Sequence, residues 1–189
     1  MSTINQDYFQ NIKQGIDCLS KSKAFDKHVS YIASKIVSNS DSNKFVVIYG
    51  NGGSAADAQH FSAELFGTYK NKKRRSFKSI ALNTDTSFLT AWSNDFDFKS
   101  VFERQIEAFA INIGMSIGLS TSGKSLNILN ALKKSKLLGI ENFLISGKNC
   151  PEYDYVDHII RLPSNDTSII QTYTQIMYHL ICIQLEQLE

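Results

Sequence analysis

The chain predicts an α/β fold, a parallel sheet with helices on both faces, and three observations carry that prediction. Short apolar runs of strand length recur along it: "KFVVIY" (44–49), "SIAL" (79–82), "MSIGLS" (115–120), "NFLIS" (142–146) and "HIIRL" (158–162). Most are separated by segments long enough for a helix, notably 54–68, 86–110 and 124–138. Such alternation winds into βαβ units, in which each crossover helix returns the chain to a parallel strand. Finally, 189 residues with 42% hydrophobic content build one well-packed core and hardly two, so a single domain over 1–189 is expected.

Taken in order, the opening forty residues place Ile12, Ile16 and Leu19, then Val29, Ile32 and Ile36, at helical spacing. They predict two helices broken near "KSKAFD" (21–26), packed on the domain that follows. After the first strand, the glycines of "GNGGS" (50–54) let the backbone turn sharply and approach a ligand, and Ser54 stands where it could cap the next helix. After the third, "STSGKS" (120–125) gathers hydroxyls, a glycine and a lysine where another helix should start. Amide groups at a helix N-terminus attract anions, and hydroxyls add donors without fixed charge. In an open parallel sheet, ligands lie beyond the carboxyl ends of the strands, and both loops sit there. Either loop alone could be a structural turn; together they predict a phosphate site. The last stretch, 167–188, is apolar on most turns with no helix breaker and predicts one long helix.

His60 and Glu64, four apart on the helix after the glycine loop, share one of its faces. They read as an ordinary surface pair, or, beside a bound phosphosugar, as acid and base or as metal ligands. Gln171 and His179 are the polar residues that stand out on the apolar final helix. Their eight-residue separation is about 12 Å along a helix axis, so if both act on one substrate they come from different subunits. His28 and His158 have no comparable company and read as structural.

Composition narrows the function classes. A formal net charge of +2 gives no general pull toward nucleic acid or anionic lipid, and the basic run "KNKKRR" (70–75) reads as a solvated loop. Cys18, Cys150 and Cys182 are odd in number and scattered, which fits neither a disulfide framework nor a zinc knuckle and suits a reducing cytoplasm. The N-terminus is polar and acidic, unlike a signal peptide, and nowhere do eighteen apolar residues run together.

The segments "GNGGSAADAQHFSAEL", "LNTDTSFLTAWSNDFDF", "IGLSTSGKS" and "IIQTYTQIMYH", in this order and spacing, resemble the phosphoheptose isomerases of the SIS (sugar isomerase) family from about Lys44 to the end of the chain. The resemblance implies a flavodoxin-like three-layer α/β/α sandwich with a five-stranded parallel sheet. It also implies a homotetramer with active sites at subunit interfaces, and a part in bacterial surface heptose synthesis. Matched by position, Asn51, Gly52 and Gly53 would line the sugar, with Ser54 near the phosphate. Asn94 and Asp95 would enter the substrate pocket, Ser120, Thr121, Ser122 and Ser125 would hold the phosphate, and Gln171 would bind substrate. Glu64 and His179 match the acid/base pair. Some members bind a zinc ion through residues equivalent to His60, Glu64, Gln171 and His179; the resemblance therefore implies an optional zinc, one per site.

The implied reaction is the conversion of sedoheptulose 7-phosphate to D-glycero-D-manno-heptose 7-phosphate through an enediol. Departures from the family pattern fall at Thr68, Trp92, Ile169 and Thr172, around the implied site but not on its proton-transfer pair. Three alternatives stand beside this reading: a non-catalytic SIS protein that binds a protein partner, a regulatory phosphosugar-binding module, and an isomerase of another phosphosugar. Glu64 and His179 weigh against the first, and the lack of a basic recognition helix in the first forty residues against the second.

Overall fold

A computed structural model describes residues 3–188; Met1, Ser2 and Glu189, within the span expected for the single domain, lie outside them. Two helices open the chain, α1 (Ile4–Ser20) and α2 (Lys23–Asp41). The hydroxyl of Thr3 caps α1 through the amide of Gln6, and that of Ser22 caps α2 through the amide of Phe25. Ser22 thus marks the break expected within 21–26.

Five strands follow, β1 (Phe45–Gly50), β2 (Ser79–Ala81), β3 (Ile113–Leu119), β4 (Glu141–Gly147) and β5 (His158–Leu162), all parallel in the order β2-β1-β3-β4-β5. Between and after them come α3 (Gly53–Phe66), α4 (Thr86–Asp95), α5 (Val101–Phe109), α6 (Leu126–Leu137) and α7 (Thr167–Leu188). Each apolar run of the sequence is a strand, and the last 22 residues described form one helix.

The segment 86–110, long enough for a helix, holds two: Phe96 leaves the helical path, and the carboxylate of Asp97 accepts from the amide of Ser100, starting a new helical turn that leads into α5. One expectation needs correction, since Ser54 does not cap α3. Gly52 is the N-cap, with φ of 56°, a conformation open to glycine, and brings the chain into the helix two residues earlier, so Ser54 lies buried in the first turn.

Alternation along β1 sorts the core into two layers. Val46 and Ile48 face a cluster built from α1, α2, α3 and α7, while Val47 and Tyr49 face one built from α5 and α6. The result is the three-layer sandwich expected. Helix α1 is fastened to α7 where the Tyr173 hydroxyl donates to the carbonyls of Asn11 and Ile12, 3.0 Å each. Gly15 makes room for this contact: a Cβ there would stand 1.9 Å from the hydroxyl and 2.3 Å from the ring. Gly15→Ala is therefore expected to destabilise the protein by about 1–3 kcal/mol, the usual penalty of overpacking, read as a lower urea midpoint; an unchanged midpoint would show that α1 docks without this contact.

Candidate functional site

Gly50 and Leu119, the last residues of β1 and β3, are register partners on adjacent strands. The glycine loop and the hydroxyl loop therefore leave the sheet side by side, where the strand order reverses direction and ligands of such sheets bind. Side-chain amides lock the two together. Asn51 and Asn127 exchange bonds of 2.9 and 2.8 Å, and Asn83 binds both the carbonyl and the amide of Gly50. The Asn51 amide is thus engaged in holding the loop. Asn83 and Asn127 escaped the sequence reading because an asparagine after an apolar run looks like any turn residue.

In the hydroxyl loop, Ser120 donates to Ser125 at 3.2 Å, Ser122 accepts from the amide of Lys124, and Thr121 meets Thr167 at the start of α7. Gly123, with φ of 67°, packs against Cys150 with no room for a side chain. Ser125 occupies the N-cap of α6 but does not cap it through its side chain. Asn94 and Asp95 are exposed at the end of α4 and bonded to each other at 2.9 Å.

Helices α3 and α7 both run back from the same end of the sheet and pack side by side. At their starts the Gln171 amide occupies the volume a Cβ on Gly53 would need, its nitrogen 2.5 Å from that position. Seven residues further along each helix, the Tyr178 hydroxyl lies 2.8 Å from His60 Nδ1. The other ring nitrogen of His60 is 3.1 Å from Glu64, so the pair shares a face as expected. The rings of His60 and His179 are 5.4 Å apart, and Tyr69 stacks on His179 at 5.5 Å. Burial and the charge of His60 lower the His179 pKa, leaving the imidazole neutral near pH 7, able to accept or give a proton.

One chain thus gathers His60, Glu64 and His179, and separately Gly53, Gln171 and the glycine and hydroxyl loops. Gly53 and Glu64 are eleven residues apart, about 16 Å along α3. For zinc, two imidazoles and a carboxylate are the right kinds of donor. Yet no group of three or more His, Cys, Asp or Glu among the described residues is arranged to hold a metal ion, and Gln171 stands with the other cluster. Of the remaining histidines, His158 stacks on Phe143 at 4.4 Å and bonds Glu141, while burial, and after it the neighbouring His158, lowers the His28 pKa. All three cysteines are free.

The departures are absorbed locally. Trp92 stacks between Phe88 and Phe96 and donates to Ser100, Ile169 is core, Thr172 bonds the carbonyl of Ser168, and Thr68 is exposed. Most of the basic run is solvated as expected, but Arg74 is buried at 6% exposure.

The family model described as SIS domain matches residues 7–143. Phosphoheptose isomerase 1 of Campylobacter jejuni is 49% identical over 138 residues, covering 72% of this chain and 74% of that protein. The phosphoheptose isomerase of Aquifex aeolicus is 44% identical over 149 residues, covering 78% and 77%. The solved phosphoheptose isomerase of Neisseria gonorrhoeae, 27% identical, superposes with a TM-score of 0.82 over 96% of both chains. That of Francisella tularensis, at 24% identity and a TM-score of 0.85 over 99% of this chain and 100% of that one, shares the fold.

Asp57, one turn before His60, has a buried Oδ2 with no hydrogen-bond partner. Burial raises its pKa to about 6, with His60 opposing. A carboxyl whose folded pKa is raised binds its proton more tightly in the folded state, so stability falls as pH climbs from the ordinary carboxylate range through that value. Asp57→Asn should accordingly gain thermal midpoint relative to the unsubstituted protein between about pH 4 and pH 7.5. A difference that does not change with pH would show that Asp57 is not held protonated by burial.

Proposed function

The chain belongs to the SIS domain family, and on that premise we propose that it is a phosphoheptose isomerase converting sedoheptulose 7-phosphate to D-glycero-D-manno-heptose 7-phosphate, the first step of bacterial surface heptose synthesis. The observation that carries the reading is Glu64 bonded to His60, whose ring lies 5.4 Å from that of His179 on the neighbouring helix, in a chain 49% identical to a phosphoheptose isomerase.

An aldose–ketose isomerisation needs a base that lifts a proton from carbon and returns it to the neighbouring carbon, and a group that moves protons between the two oxygens. Glu64 takes the proton from C1 of the ketose, giving the enediol, and returns it to C2 of the aldose. His179, kept neutral, accepts the proton of the C1 hydroxyl and supplies one to the former carbonyl oxygen at C2. Ser120, Thr121, Ser122 and Ser125 hold the phosphate, with Ser54 near it, while Gly52, Gly53, Asn94, Asp95 and Gln171 surround the sugar. Asn51 shapes this pocket through Asn127. Binding energy from the distant phosphate positions the reacting carbons.

The assembly is a homotetramer in which the phosphate loops of one copy face Glu64 and His179 of another. Two features support this arrangement: the distance between the two clusters within one chain, and the apolar residues that α1 turns outward, Ile4 at 88% and Phe9 at 69% exposure. Should a zinc ion bind, His60, Glu64 and His179 of one copy, which among the described residues of a single chain are not arranged as a metal site, would hold it together with Gln171 of another. Zinc bound there would polarise the substrate carbonyl as a Lewis acid. No helix among the described residues is long and apolar enough to cross a membrane, and the reaction is placed in the cytoplasm, where free cysteines persist.

Glu64→Gln is expected to lower kcat by about 10²–10⁴-fold, the range a positioned general base supplies, while sedoheptulose 7-phosphate still binds in calorimetry. The unsubstituted protein in deuterated water should place deuterium at C2 of the aldose. A fully active Glu64→Gln enzyme would remove the base from this scheme, and a protein that binds but never converts the sugar would favour the regulatory alternative.

A further inference from the structure

The one buried cation of the basic run faces the same two helices that carry the proposed acid/base pair. Arg74 spreads its guanidinium over the end of α3: one terminal nitrogen donates to the carbonyls of Leu65 (3.1 Å) and Arg75 (3.0 Å), the other to those of Glu64 (2.6 Å) and Gly67 (3.1 Å). These include carbonyls that a helix leaves without intrahelical partners, at the end where its dipole favours a positive charge. The ring of Phe77 covers the guanidinium at 4.8 Å. On its far side, Nε lies 3.9 Å from the carboxylate of Glu186 on α7, whose side chain is also largely buried.

Glu186 is itself a knot. Its Oε1 accepts the backbone amides of Lys70 and Asn71, both at 2.8 Å, which fixes the loop immediately after Tyr69, the residue stacked on His179. Seven residues separate His179 from Glu186, two helical turns, so both lie along the same stripe of α7. Arg74 and Glu186 therefore join three things: the backbone of Glu64, the loop that carries Tyr69, and the helix that carries His179.

We propose that Arg74 is a positioning residue for the isomerisation: bracketed by Glu186, it holds the Glu64 carbonyl and so sets where the Glu64 carboxylate stands relative to His179. The inference rests on the proposed function, since it concerns the geometry of that acid/base pair. It touches no substrate atom. A surface lysine in its place could not reproduce the bracket, because an ammonium cannot spread donors over carbonyls on both sides of a planar fork.

The test compares the unsubstituted protein with Arg74→Lys, Arg74→Met and Glu186→Gln by steady-state kinetics on sedoheptulose 7-phosphate, with the deuterium content at C2 of the product measured in deuterated water. Glu186→Gln keeps the size and an accepting oxygen, and so provides a folded variant if Arg74→Met does not fold. Expected for Arg74→Lys is a fall in kcat of about tenfold to a hundredfold, the scale on which displaced reacting groups lose rate, with KM changed less than about threefold because the phosphate loops are untouched. More solvent deuterium is expected at C2, because a carboxylate released from its place exchanges its proton with water before returning it. Glu186→Gln should shift both readouts in the same direction by less.

Variants that melt earlier but keep kcat and deuterium content would overturn the inference and leave Arg74 a purely structural clamp. A rise in KM at constant kcat would overturn it as well. If the unsubstituted protein converts no sugar, the proposed function fails and takes this inference with it. That outcome is distinct from an active enzyme indifferent to Arg74.

Discussion

The approach of α7 to the start of α3, where the Gln171 amide fills the space a side chain on Gly53 would claim, sets the register in which these helices run. Everything chemical on this face of the sheet inherits that register. Seven residues on, it brings Tyr178 to His60; beyond that it aligns His179 with the Glu64 turn; at the far end it places Glu186 under the loop that closes α3. Parallel packing with a glycine at one contact turns two amphipathic helices into a ruler. The spacing of polar groups along one helix then dictates which groups of the other they meet.

The sheet supplies the second constraint. Because β1 and β3 are neighbours ending at the same level, two loops far apart in sequence leave the sheet side by side, and the Asn51–Asn127 exchange ties them together. The hydroxyls of Ser120, Ser122 and Ser125 are oriented by bonds within or near the loop, so the phosphate-binding role proposed for them would draw on groups already held in place. Such preorganisation is what lets binding at one end of a sugar contribute to chemistry at the other.

Charge is distributed with the same economy. The exposed lysines of the basic run leave the net balance near neutral, whereas Arg74 is withdrawn from water and spent on helix-end carbonyls. Burying a guanidinium is tolerable only with its donors engaged, and here four carbonyl oxygens receive them. At the opposite end of the sheet, burial works to raise the Glu141 carboxyl, but bonds from Lys35, Tyr31 and His158 outweigh it and hold the pKa low. His158 is thereby committed to structure.

The sequence by itself determined the parallel sheet, the opening helix pair and the final helix, because apolar period and length are local properties that survive in one dimension. It also marked Glu64 and His60 as sharing a face, since a four-residue step on a helix permits little else. What only the tertiary structure decided was set by packing between distant segments. Ser54 lost its capping role to Gly52: the glycines announced a sharp turn, but which residue of the loop would take the positive φ was settled only by the fold. The segment 86–110 broke where the Asp97 side chain captured a backbone amide. Arg74 looked like its solvated neighbours until folding laid the end of α3 and Glu186 around it. The separation of Gln171 from His179 was legible in their eight-residue spacing; folding decided which groups join each of them, Gly53 the first and His60 the second.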